Sequence, residues 1–208
     1  MGLLSATTSI TCYRVEGTIP KPVADNVSNG LKRNVIANID GQPAEKAVGW
    51  TSFEHPFSAK FTAESFLFGT AMIFSLRVDK KAIPANVVKK YCDQEWEKQA
   101  TATGRKVLSK NEKKIIKEKV IQDLAVRIPA TPRVFDLVWQ YEQGRLWFFT
   151  NLKSANEELE TLFLKTFSLR LIRLFPYTIA TLESGLPDGE IDLVTKLQPA
   201  QFYQTRST

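Results

Sequence analysis

The residues in this sequence best placed to do chemistry are lysines. Lys110, Lys113, Lys114 and Lys117 recur at i, i+3, i+4 and i+7, which puts all four on one side of a helix. Their charges repel one another. They also crowd the first turns of a helix that Ser109-Lys110-Asn111-Glu112 opens as a capping box. The macrodipole favours anions there, so each such cation costs about 0.3–1 kcal/mol at low salt. An ammonium on a flexible stem is a point charge that attracts phosphate without reading a base. The stripe therefore suits a surface that tracks phosphates; the alternative is a solubilising helix face, which lysine-rich helices commonly supply.

The stripe belongs to a wider charge asymmetry. The chain carries a net +6. Between Lys80 and Lys119 there are twelve basic and five acidic residues, so this segment carries +7 and the rest of the chain −1. Lys89 and Lys90 lie at one end of it, and Arg105 and Lys106 near the turn between its two helices. A basic excess so confined leans toward a polyanionic partner.

Other chemistries find little support. One histidine, His55, in Glu54-His55-Pro56, rules out multi-histidine metal sites and leaves little room for a serine–histidine triad. The glycines form neither GxxxxGK[ST] nor GxGxxG. Asp93 and Glu97 sit among lysines at ion-pairing spacing. Asp188, Glu190, Asp192 and Lys196, after Pro187, hold the ingredients of a metal-dependent nuclease, but the spacing is compressed and no strand is expected around them. Trp139, Tyr141, Trp147 and Phe149 are able to stack on single-stranded bases, yet strict alternation makes core packing the better use of at least one face. No cofactor and no metal are called for.

The elements that must hold the lysines read as follows. Thr7–Val15 alternates as a strand, and Val23, Val27, Leu31 and Val35 make roughly 22–36 a helix. Residues 38–62 read as loop, with one apolar spot at Val48-Gly49-Trp50. Phe66–Phe68 and Ala71–Val78 flank Gly69-Thr70 as a hairpin. Pro84 opens a helix that Gly104 ends, and Ser109 caps the next, giving a helical pair. A second hairpin follows, with Phe135, Leu137, Trp139 and Tyr141 facing one way. Ser154-Ala155-Asn156-Glu157 reads as another capping box, ahead of a stripe at Leu159, Leu162, Phe163, Thr166 and Phe167. Leu169–Phe175 is a strand, and the tail from Tyr177 is turn-rich.

Hairpins imply antiparallel pairing, so the fold expected is α+β: an antiparallel sheet built from hairpins, packed helices, and an inserted, projecting helical hairpin. The division is residues 1–79 and 128–176 for the sheet domain, 80–127 for the basic hairpin and 177–208 for the tail. The longest uncharged apolar run, Ser65–Leu76, is too short to span a membrane as a helix. Cys12 and Cys92 are far apart and form no disulfide framework, which points to a reducing, cytoplasmic setting.

An ordered set of features now carries a resemblance. Val48-Gly49-Trp50 is followed by a hairpin, then Ala82-Ile83-Pro84 at a helix start. A lysine-rich helix over Leu108–Leu124 precedes Arg127, then Gly144-Arg145-Leu146 in a hairpin and the amphipathic helix Ser154–Phe167. Over roughly residues 5–176 the chain resembles the RdgC family of bacterial recombination-associated DNA-binding proteins. The resemblance implies an α+β fold, homodimers that encircle duplex DNA with little sequence preference, a restraining link to RecA-dependent strand exchange, and a nucleoid-associated cytoplasmic protein. Family members have also been labelled exonucleases. Lys110, Lys113, Lys114 and Lys117 match the family's basic helix, and Arg127 its arginine just beyond. The family usually has Pro-Arg-small-Phe where this chain has Val126-Arg127-Ile128-Pro129. The expected DNA-contacting set is Lys89, Lys90, Arg105, Lys106, Lys110, Lys113, Lys114, Lys117 and Arg127. The competing expectations are a metal-dependent nuclease and a protein-interaction module with a basic face.

Overall fold

A computed structural model describes residues 2–58, 61, 65–104, 109–183 and 185–196. Among the described residues seven strands form one antiparallel sheet: β1 (Thr11–Glu16), β2 (Lys46–Thr51), β3 (Leu67–Phe68), β4 (Ala71–Lys80), β5 (Thr131–Gln140), β6 (Arg145–Phe148) and β7 (Arg170–Leu174). Their order is β2-β4-β5-β6-β1-β7, with β3 also paired to β4. The described residues also form six helices: α1 (Val23–Arg33), α2 (Ala85–Thr103), α3 (Lys110–Arg127), α4 (Lys153–Phe167), α5 (Pro176–Glu183) and α6 (Asp188–Lys196). The protein is α+β, as the two hairpins required. Among the described residues no helix is long and apolar enough to cross a membrane.

Alternation decides which sheet face is dry. Tyr13, Trp50, Phe74, Leu76, Leu137, Trp139, Leu146 and Phe148 fall on one face, all at 0% exposure. With Leu159 and Phe163 of α4 and Val27 and Leu31 of α1 they form the main core. Aromatic edges close it: Trp139 meets Phe163 at 5.0 Å and Phe167 at 5.3 Å, and Trp50 meets Phe74 at 5.1 Å. The Trp50 indole N–H donates to Thr166 Oγ1 at 2.8 Å, so even the edge strand is tied to α4. The Tyr13 hydroxyl lies 2.6 Å from Asn156 Oδ1 and 3.0 Å from Glu160 Oε1, two acceptors for its one hydrogen. Burial first, then the Glu160 carboxylate, pushes the Tyr13 phenol above its ordinary range.

Several sequence expectations need correction. The apolar spot at Val48-Gly49-Trp50 lies in a full strand, β2, rather than in loop. Gly49 hides that strand from a β-propensity reading, yet it is what admits the crossing chain: a Cβ there would come within 2.4 Å of the Ile36 backbone. The Ile36 N–H then donates to Trp50 O at 3.1 Å, and the Trp50 N–H to Asn34 O at 2.9 Å. β1 starts at Thr11 and not Thr7, because its partners run out there: Thr11 already faces Phe148, the last residue of β6. The box expected at Ser154 does not form. α4 is entered through Leu152, whose carbonyl accepts the N–H groups of Ala155 and Asn156, and Ser154 is left inside the first turn. The tail is not merely turn-rich but carries α5 and α6. Pro176 is pre-set for a first helical position, and the Thr178 hydroxyl accepts the Phe175 N–H at 2.8 Å.

Candidate nucleic-acid interface

The basic segment leaves the sheet after β4 and returns at β5. Its two helices pack on each other through a thin apolar seam: Cys92, Ile116, Val120 and Leu124 are buried, with Val88, Tyr91 and Trp96 half-buried beside them. Each end is specified locally. Gly104 closes α2 at φ 66, a left-handed conformation open to glycine. The Ser109 hydroxyl accepts the Glu112 N–H at 3.3 Å while the Glu112 carboxylate accepts the Ser109 N–H at 2.7 Å, the full capping box.

The root of this arm depends on a residue that charge counting misplaces. Lys81 contributes to the basic excess, yet it is only 4% exposed. Its ammonium donates to Gln42 O at 2.6 Å and to Ala125 O at 2.5 Å. Ala125 lies in the last turn of α3, where carbonyls lack intrahelical partners and the dipole favours a cation. Lys81 is therefore an anchor between sheet and arm and offers no charge to a partner. Nothing in its sequence context separates it from Lys80; only strand register does.

The helices have two flanks. On one, Lys113 Nζ lies 5.4 Å from the centroid of the Trp96 ring, a cation–π placement. Lys117 stands close enough to Cys92 to favour its thiolate, though burial dominates and the Cys92 thiol is pushed up. Lys110 and Lys114 follow at i−3 and i+1 from Lys113. All four are exposed, and the expected single stripe exists. Of the four, Lys114 alone approaches a carboxylate among the described residues, Glu118 Oε1 at 3.9 Å, with both side chains largely in solvent. Such a pair neutralises little. Lys89, exposed at i−7 from Trp96, joins this flank by helical spacing.

The opposite flank mixes its charges. A groove of about 280 Å3 is lined there by Lys98, Lys119 and Arg127 but also by Glu95 and Asp123. Lys98 Nζ donates to Glu95 at 2.6 Å. That hydrogen bond chiefly, with the nearby Lys98 and Lys119 charges, holds the Glu95 carboxyl below its usual range. Lys90 is exposed, 5.9 Å from the Tyr91 ring, and Tyr91 lines the same groove. So the expected set is divided. Lys89, Lys110, Lys113, Lys114 and Lys117 share one flank, Arg127 lies on the other, where carboxylates are interleaved, and Lys90 points away from the stripe. Arg105 and Lys106 lie outside the described residues.

The acidic alternative gains no geometry. Positions 188, 190 and 192 run along α6, so successive members are roughly 200° apart around a helix. Among the described residues no group of three or more His, Cys, Asp or Glu could hold a metal ion.

No curated protein matches the sequence. A family model described as "Putative exonuclease, RdgC" matches residues 8–181, which takes in every strand, the basic arm and α4. With most of its length matched in this way, the chain belongs to the RdgC family.

Proposed function

We propose that this protein binds DNA without regard to sequence, through the lysine-lined flank of the arm. It would act in recombination or replication as a homodimer and modulate RecA-dependent strand exchange on nucleoid DNA. The observation that carries this reading is the stripe itself: Lys110, Lys113, Lys114 and Lys117 are all exposed on one flank, and one distant carboxylate is their sole ion-pair partner among the described residues. A fold that tolerates such self-repulsion on a thin helical pair is served by an anion lying along it. The spacing of i, i+3, i+4 and i+7 suits a run of phosphates, and lysines suit contacts that position without specifying.

The test is DNA mobility across a salt series. Each phosphate neutralised on duplex DNA adds about −0.9 to the slope of log K against log salt. Replacing Lys110, Lys113, Lys114 and Lys117 by Ala is expected to flatten that slope by about three to four units. An unchanged slope removes the site.

The family description favours a second reading, exonuclease. Incubating end-labelled DNA with Mg2+ or Mn2+ decides it. Degradation that disappears on replacing Asp188, Glu190 and Asp192 supports that reading; intact DNA at high protein concentration removes it.

A further inference from the structure

A second concentration of positive charge lies where the arm joins the sheet, and it is built from strands rather than helices. Lys46 of β2 stands directly opposite Lys80 of β4, and Lys80 directly opposite Thr131 of β5. Arg133, two residues along β5, lies on the same face as a diagonal neighbour of Lys80. Like charges opposed across strands are destabilising. The three cations line one cleft of about 300 Å3, with Leu152 and Ser154 from the start of α4 and apolar walls that include Phe135. Among the described residues a single carboxylate, Glu158, also lines it, and that one is ion-paired to Lys46. The side chains of Lys80 and Arg133 have no ion-pair or hydrogen-bond partner among the described residues. The cleft is left with two uncompensated positive charges.

The other face of the same strand treats charge differently. Arg77 of β4 donates through Nε and Nη2 to the two oxygens of Asp79, both at 2.7 Å. There a shielded arginine has its own carboxylate in bidentate geometry. β4 thus neutralises its cation on one face and leaves its last residue unpaired in a concave site on the other.

We propose that Lys80, Arg133 and Lys46 form a phosphate-binding cleft that holds one backbone phosphate of the nucleic acid engaged by the arm; this rests on the DNA-binding reading above. Phosphate fits the donors. The guanidinium fork of Arg133 is able to grip two oxygens, Lys80 adds a mobile charge, and Lys46 offsets Glu158, which would otherwise repel an anion. Apolar walls weaken the competition from water and strengthen each attraction. Lys80 is the last residue of β4 before the arm and Thr131 the first of β5 after it, so a phosphate held here would fix the duplex at the arm's root rather than along its length.

The test compares full-length variants over the same salt series. Replacing both cations (Lys80→Gln with Arg133→Gln) is expected to reduce the slope by about one unit, the share of one phosphate. The same two-charge change on α1 (Lys32→Gln with Arg33→Gln) is expected to leave it unchanged. Equal effects of the two pairs would overturn the cleft, since net charge would then account for both. If the arm variant flattens the slope and the cleft variant does not, the cleft falls and the DNA-binding reading stands. If the wild-type protein retains no duplex, both fall. Inorganic phosphate at constant ionic strength separates the sources. A thermal shift in wild type that the cleft variant loses, with an unchanged DNA slope, would mean a free phosphate ligand and overturn the backbone assignment. Should the double variant fail to melt cooperatively, Arg133→Gln alone, an exposed side chain near a strand end, takes its place with a smaller fall in slope expected.

Discussion

The sheet and the arm are held together in different ways. The sheet packs an aromatic-rich face against two helices, with Trp50, Phe74, Trp139 and Phe163 from distant parts of the chain all fully buried. The arm has only the seam of Cys92, Ile116, Val120 and Leu124 between two consecutive helices, with a charged surface around it. Contact order is high in the first and low in the second. Regions with few buried apolar contacts open at lower free energy than the core. The difference teaches that the element carrying the charge is also the one least able to impose its strain on the rest. Self-repulsion among lysines is tolerated where it loosens only an appendage.

The comparison is tested most severely in the sheet. Phe163 is fully buried and meets Trp139 at 5.0 Å and Phe167 at 4.8 Å. Phe163→Ala is expected to lower stability by about 3–5 kcal/mol, read as one cooperative fall in the denaturant midpoint. Ile116→Ala removes a seam residue and is expected to cost about 2–5 kcal/mol by the same cavity logic, but locally. Amide exchange in α2 and α3 should speed up while the sheet's midpoint holds. Cys92 gives a second readout. Burial raises its thiol pKa and outweighs Lys117, so the closed arm holds less thiolate and labels slowly at pH 8. Opening restores both access and ordinary acidity, so Ile116→Ala should label faster at every pH below the native thiol's pKa. An equal loss of sheet stability in Ile116→Ala would show that arm and sheet unfold as one unit.

What the sequence revealed follows the same division. The arm was readable residue by residue because its signals are local: a glycine stop at Gly104, a box at Ser109, a stripe at four-residue intervals. The hairpins were equally plain, since alternation over Met72–Val78 and Val134–Tyr141 is a short-range pattern. What escaped depended on partners remote in sequence. β2 is a strand because β4 offers it an edge and Gly49 lets the chain pass Ile36. The box expected at Ser154 lost to the Leu152 carbonyl. The charge pattern also said less than it seemed to. Lys80 and Lys81 are neighbours of identical type, yet register puts one at a cleft and the other, buried, against the carbonyls of Gln42 and Ala125. Arg127 lies across the arm from the lysines it was grouped with: ten residues beyond Lys117 is about 280° around the helix, so the grouping followed order along the chain and not the helix face.

The smallest expected effect probes whether the stripe needs its helix end. Ser109 is exposed and touches no sheet residue in its hydrogen bonds; its hydroxyl accepts one N–H, from Glu112. Ser109→Ala removes that bond and is expected to cost about 1 kcal/mol, all of it in the arm. Fraying would then reach Lys110 and Lys113 first, leaving Lys117 in the following turn ordered. The salt slope of DNA binding should fall by less than one unit, since a frayed lysine still carries its charge and loses only its fixed place in the row. A fall as large as that of the four-lysine variant would mean that helical alignment, more than charge, sets the affinity. No change at all in exchange rates within α3 would mean that the Glu112 carboxylate on the Ser109 N–H is enough to hold the end by itself.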